Sequence, residues 1–303
     1  MDTITPVFNA YRISVLDSEK PIYRLSVKYA ELKDDYSEES NPFWEGYLPD
    51  GLHVRYWLNK IFIRIRIHKS ADLKMDFSQC KGNLTVHRGA EWSLLSGCII
   101  PMLAELLRRN QHYLIHAATL RLPFTNRGIV IAGAGGTGKT STALALMHSG
   151  MELMSDDISF IMGGSPDTDP LRVWGFLPRL KIRKPTLTLL PWLDEYPRQK
   201  ARMSGEFYID LNSLRRDVNT DPVHITAVVF LGENNTIKHQ LEPLDKTQAV
   251  ELLIGENLRS TDHFTAKAFQ TLVRFTGQCE TYMLSASPEL ETLDKIIFPL
   301  MEN

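Results

Sequence analysis

The sequence predicts a mixed α/β fold with a strand-rich N-terminal region, and three observations predict it. Residues 1 to about 90 carry period-2 alternation, as in "KIFIRIRIHKS", where Ile61, Ile63, Ile65 and Ile67 alternate with Phe62, Arg64 and Arg66. From about Glu91 the apolar spacing turns helical, first in "EWSLLSGCIIPMLAELLRRN". The apolar run "GIVIAG" then leads into a glycine-rich loop, the helix "KTSTALALMHSG" and a second strand, "MELMSDD". Strand, loop, helix, strand is one βαβ unit, which makes the remainder of the chain α/β.

The elements follow in order. "YRLSVKYAEL" reads as a strand and "KDDYSEESNPFWEG" as an exposed polar loop. The aromatics of "WEGYLPDGLHVRYW" are expected to pack in a core rather than to contact a peptide. The helix from Glu91 ends in a basic turn, with Asn110 as its stop. "HYLIHAATL" reads as one strand, "PFTNRG" as the turn after it, and Gly150 as a C-terminal helix cap. "RQKARMSGEFYIDL" is a basic loop or hairpin before an alternating strand. "VHITAVVFLG" is a buried strand, "DKTQAVELLIGE" and "FTAKAFQTLVRFTG" are amphipathic helices, and "CETYMLSA" is a strand. The pattern divides the chain into a strand-rich region, 1–90, and an α/β domain, 91–303.

Composition sets limits. With 43% apolar and 23% charged residues, the 303-residue chain can bury a sizeable core. A formal net charge of −2 argues against nucleic acid as a partner. Cys80, Cys98 and Cys279 lack metal-ligand spacing and read as buried free thiols of a reducing compartment. No apolar run reaches the roughly 18 residues of a membrane span. "MDTITPVFNAYR" lacks a signal-peptide pattern. The expectation is a cytoplasmic protein without a membrane partner; a homo-oligomer is compatible with it.

"GAGGTGKT", Gly133, Ala134, Gly135, Gly136, Thr137, Gly138, Lys139 and Thr140, matches G-x-x-x-x-G-K-[ST] at every fixed position. Glycines let consecutive N–H groups turn toward phosphate oxygens, and the helix beginning at Lys139 and continuing through Ser141 adds its partial positive end. Lys139 reaches the outer phosphates and the Thr140 hydroxyl ligates Mg²⁺. ATP is expected rather than GTP, because no N-K-x-D guanine signature follows.

An isolated Asp-Asp is usually a solvated turn. Here Asp156 and Asp157 arrive on the first strand after the phosphate loop, where one carboxylate can support Mg²⁺ opposite Thr140 and the other can serve an incoming hydroxyl. Successive side chains of an extended strand face opposite ways, so this division needs a strand end that bends. His116, in "LIHAATL", is either a core histidine or a partner of the acid pair.

His116 with "GIVIAGAGGTGKTSTALALMHSGMELMSDD" resembles the kinase domain of HPr kinase/phosphorylase. It resembles still more the shortened HPr-kinase-like serine kinases found beside lasso-peptide biosynthesis genes. The resemblance spans about 112–162, extends loosely through "AVVFLGENNTIKHQLEPLDKTQAVELL", and covers little of 1–90. It implies the P-loop core shared with phosphoenolpyruvate carboxykinase. It also implies Asp156 as base toward a substrate serine, Asp157 on the Mg²⁺ side, and His116 beside them. The bifunctional enzymes carry a Glu-Ile-Arg-Gly-Leu-Gly stretch after the acids; here "LKIRKP" puts Lys181 at the glutamate and keeps Arg183. A lysine cannot ligate Mg²⁺, which weighs against phosphorylase activity and against HPr as substrate. Lys181 and Arg183 are read either as phosphate or acidic-substrate contacts or as an exposed basic strand. In the hairpin beyond, Lys200 or Arg202 is a candidate for closing over the phosphates, against a solvated hairpin.

The resulting expectation is an ATP- and Mg²⁺-dependent kinase acting on a serine of a peptide or protein, with the C-terminal serine of a lasso-peptide precursor as its sharpest form. Residues 1–90 would help to hold that peptide. The alternative is an ATP-binding or ATPase switch without phosphotransfer.

Overall fold

The computed structural model describes residues 23–32, 41–48, 51–88, 92–163, 170–177, 179–200, 205–209, 211–214, 221–232, 236–257 and 265–302. It divides into two compact units, Met1–Leu107 and Arg108–Asn303.

In the first unit a six-stranded sheet runs in the order β1-β6-β5-β4-β3-β2. Its strands are β1 (Arg24–Tyr29), β2 (Trp44–Tyr47), β3 (His53–Leu58), β4 (Phe62–Ile67), β5 (Ala71–Asp76) and β6 (Lys81–Val86). β2 to β6 form an antiparallel meander, and β1 pairs parallel with β6. The expected alternation holds within β4, where Ile63, Ile65 and Ile67 are buried and Arg64 pairs with Asp72 across the strand, but Ile61 precedes the strand and is exposed. Helix α1 (Trp92–Arg109) brings Leu95, Cys98, Ile99 and Met102 into the same core. That packing joins the helix to the N-terminal strands, and the first unit runs to Leu107. Two expectations are corrected. Trp44–Tyr47 form a strand where a loop was expected through Gly46, and of the aromatics expected in the core Trp57 (5% exposed) is buried whereas Trp44 (39%) and Tyr47 (72%) are not. Cys80 is half-buried in a turn at φ 52°, whereas Cys98 and Cys279 are buried as expected. The acidic stretch 33–40 lies outside the described residues.

The second unit is built on a nine-stranded mixed sheet. Seven strands follow the order β10-β8-β9-β16-β12-β11-β7, and β17 and β18 continue from β16. They are β7 (His112–Ile115), β8 (Ala118–Arg121), β9 (Arg127–Ala132), β10 (Glu152–Ser155), β11 (Ser159–Met162), β12 (Arg172–Gly175), β16 (Val223–Leu231), β17 (Gln240–Pro243) and β18 (Glu280–Ser285). A small antiparallel sheet, β13-β15-β14, comprises β13 (Leu180–Ile182), β15 (Phe207–Ile209) and β14 (Arg198–Lys200). Four helices matter for the site: α2 (Lys139–His148), α3 (Lys184–Leu189), α4 (Lys246–Asn257) and α5 (Thr265–Gln278).

β9 from Gly128 and β16 from Ala227 are apolar because both faces of the sheet are covered there. Ile129, Ile131, Ala227 and Val229 share one core with Leu144 and Leu146 of α2. Val130, Ala132, Val228 and Phe230 share the opposite core with Leu253 of α4 and Phe275 of α5. β16 pairs parallel with β9 along one edge. On the other edge its first residues pair with β12 and its last five with β18. "HYLIHAATL" is not one strand. β7 and β8 lie in different parts of the sheet, joined through His116 and Ala117. Among the described residues, no helix is long and apolar enough to cross a membrane.

Candidate active site

The glycine loop joins the end of β9 to the start of α2 and closes on itself. Gly133, Gly136 and Gly138 have φ of 146°, 87° and 99°, backbone that other residues adopt at a cost in strain. A Cβ on Gly133 would also stand 3.0 Å from Thr137 Oγ1. Thr137 donates its backbone N–H (3.3 Å) and its hydroxyl (2.8 Å) to the Ala134 carbonyl. Lys139, 6% exposed, donates from Nζ to the carbonyls of Gly133 (2.7 Å) and Ala134 (3.1 Å). Open space lies where side chains of Gly135 and Gly136 would stand. The ammonium, the first N–H groups of α2 and this opening make an anion cradle.

The acid pair occupies a bend, as its chemistry requires. β10 ends at Ser155, a register irregularity falls between Leu153 and Ser155, and the chain bends at Asp156 and Asp157 before β11. Three hydroxyls fix that bend. Ser159 Oγ donates to the Ala117 carbonyl (3.0 Å), so Thr119 Oγ1 (2.7 Å) and Ser155 Oγ (2.6 Å) donate to it. The Thr119 N–H in turn donates to Ser155 Oγ. The triad ties β8, the end of β10 and the start of β11 together. The Ala117 N–H donates to the Ile115 carbonyl (3.1 Å), a three-residue turn with His116 at its centre.

The two aspartates are then treated differently. Asp156 is 3% exposed and accepts from the Thr140 hydroxyl at Oδ2 (3.1 Å), while its buried Oδ1 has no hydrogen-bond partner. Burial, then the adjacent Asp157 charge, push its pKa up to about 7 against the Thr140 hydroxyl, Lys139 and Lys181. The Asp157 side chain is 46% exposed and lies 3.3 Å from His116 Nε2. Burial works to raise its pKa, but His116, Lys181 and Lys139 together hold it below the usual carboxylate range. Of the two acids left open for the place opposite Thr140, Asp156 takes it: the bend turns Asp156 toward α2 and Asp157 toward His116.

No family model matches the chain, and no curated protein matches it. Among solved structures it is similar to the Hpr(Ser) kinase/phosphatase from Coxiella burnetii, at 15% identity and a TM-score of 0.31, over 63% of this chain and 99% of that one. Likeness at that level assigns neither fold nor activity, which leaves the site's own geometry to decide.

The other expected residues divide. The Ser141 hydroxyl is buried and donates to Thr186 Oγ1 of α3 (3.1 Å), so its side chain packs the helix instead of facing the cradle. Arg202 lies outside the described residues. Lys181 of β13 faces Glu206 (3.5 Å), as does Arg183 (3.4 Å), and its charge also acts on both aspartates. Sequence reasoning missed Glu206 and the hydroxyl triad. Glu206 reaches Arg183 only through the pairing of β13 with β15. Small hydroxyl residues carry no spacing signal at all.

Proposed function

We propose that the protein is an ATP-dependent kinase that transfers the γ-phosphoryl group to a serine hydroxyl of a peptide or small protein. One observation carries this reading: beside an anion cradle, the acid pair splits into a buried carboxylate on Thr140 and a half-exposed carboxylate on His116. A nucleotide-binding loop alone needs only the first.

The backbone of Gly133–Thr137 and the Lys139 ammonium would hold the phosphates. Thr140 and Asp156 fit Mg²⁺, since a buried carboxylate oxygen without a donor suits a hard cation. Among the described residues no three His, Cys, Asp or Glu side chains form a complete metal site, so phosphate oxygens and water would share the cation. When bound, Mg²⁺ neutralises charge on the phosphates. Asp157, oriented by His116, faces the acceptor. The serine oxygen bonds to the γ-phosphorus while the bond from that phosphorus to the β–γ bridging oxygen breaks. ADP leaves with the electron pair and the hydroxyl proton passes to Asp157. A carboxylate of low pKa is adequate, because a loose transition state asks for an oriented hydroxyl more than for a strong base. The roles are thus the reverse of those the resemblance implied. The C-terminal serine of a lasso-peptide precursor as acceptor rests on that resemblance alone.

The test is transfer from γ-labelled ATP to serine peptides with Mg²⁺. Wild type should label them. Asp157→Asn should keep its affinity for Mg·ATP and transfer at least ~100-fold more slowly, and Asp156→Asn should lose the Mg²⁺ dependence of ATP binding. ATP binding by wild type without any labelled peptide would favour the switch alternative. Undiminished transfer by Asp157→Asn would overturn the assignment of the base.

A further inference from the structure

A cleft of about 140 Å³ opens beside the first half of the glycine loop. One wall is Gly133, Ala134, Thr137 and His116; the other is Phe230 and Leu231 at the end of β16, Leu252 and Leu253 of α4, and Met283 of β18. Three facts say what enters it. Lys139 Nζ sits on the carbonyls of Gly133 and Ala134, so this end of the loop is where the outer phosphates lie. His116, which holds Asp157, lines the same cleft, placing it on the acceptor side. The far wall offers aliphatic, aromatic and thioether groups and no charged side chain, so a nucleobase would leave ring nitrogens unpaired there. An apolar cavity of about 150 Å³ accommodates one benzene-sized group. Leu252, at 41% exposure, is an apolar side chain left open to solvent on the helix that forms this wall.

We propose that this cleft receives one apolar side chain of the phosphoryl acceptor, that of the residue before the serine, and thereby selects the acceptor. The proposal rests on the kinase reading for the identity of the occupant, and it can fail separately from it.

The experiment uses the full chain and capped serine tetrapeptides differing only in the residue before serine: Gly, Leu or Phe. Binding is measured by calorimetry in the presence of Mg²⁺ and adenylyl imidodiphosphate, and transfer with γ-labelled ATP. The Leu and Phe peptides should bind at least ~10-fold more tightly than the Gly peptide. Leu252→Trp, which overhangs the cleft without crowding the core, should reduce them to the Gly level and leave the nucleotide affinity unchanged. Leu253→Ala, which enlarges the cleft, should shift preference from Leu toward Phe. Equal affinity for the three peptides, or no binding of any, overturns the proposal. Loss of nucleotide affinity in Leu252→Trp also overturns it, by giving the cleft to the nucleoside. Selective binding without transfer supports the cleft while overturning the kinase reading; transfer without selectivity does the reverse.

Discussion

Asp156 is an unfavourable residue in the ligand-free protein, and that follows from its surroundings. Its carboxylate is buried, receives one hydroxyl hydrogen bond and lies beside a second negative charge. A folded-state pKa raised to about 7 means the folded protein binds the proton more tightly than the unfolded chain. Stability is therefore greatest below the ordinary carboxylate pKa and falls as pH rises toward 7, by an amount on the order of a few kcal/mol. Asp156→Asn should raise the midpoint of thermal unfolding at pH 8, with the gain shrinking toward pH 4. An equal shift at both pH values would show that the carboxylate is not charged at a cost. Asp157 predicts no such gain, since His116 and two lysines already favour its charge. The pair is therefore a strained site next to a relaxed one, and the strain sits where a cation would relieve it.

At the scale of elements, the site depends on how three strand ends meet. Ser159→Ala would leave Thr119 and Ser155 without an acceptor and the Ala117 carbonyl without its donor. The expected loss is about 1–3 kcal/mol in denaturant unfolding, at an unchanged m-value. A variant as stable as wild type would mean that the triad is incidental to the bend. The same junction marks what sequence could and could not disclose. The glycine loop, the helix after it and the acid pair were legible because their chemistry is carried by neighbours in the chain at fixed spacing. The break at His116 was not, because "HYLIHAATL" has no Gly or Pro and every residue fits a buried strand. Nor was which aspartate turns toward Thr140 and which toward His116. That depends on the bend at Asp156 and Asp157, tied to β8 and β11, and alternation along a strand predicts only that the two diverge. Trp44 and Tyr47 misled for another reason: aromatic content signals burial in a sheet flanked on both sides, whereas β2 is an edge strand.

At the scale of the molecule, each unit carries its own buried core. The proposed nucleotide ligands all belong to 108–303. Calorimetry should resolve two unfolding transitions, and Mg·ATP at 100 times its Kd should stabilise one of them by about 2.7 kcal/mol and leave the other in place. A single transition that shifts as a whole would contradict that independence. β16 has a consequence for how the second unit comes into being. It pairs His224 with Arg127 on one edge and Leu231 with Leu284 on the other. The loop, its lysine and the acid pair are all close in the chain, but the strand that supports the loop acquires its partner only after a long excursion. Closing such distant pairings is slow, because chain entropy is lost before the contacts return anything. During synthesis the glycine loop would leave the ribosome well before its sheet can form. On the proposed reading, the nucleotide site would be complete only once the residues of β18 have docked.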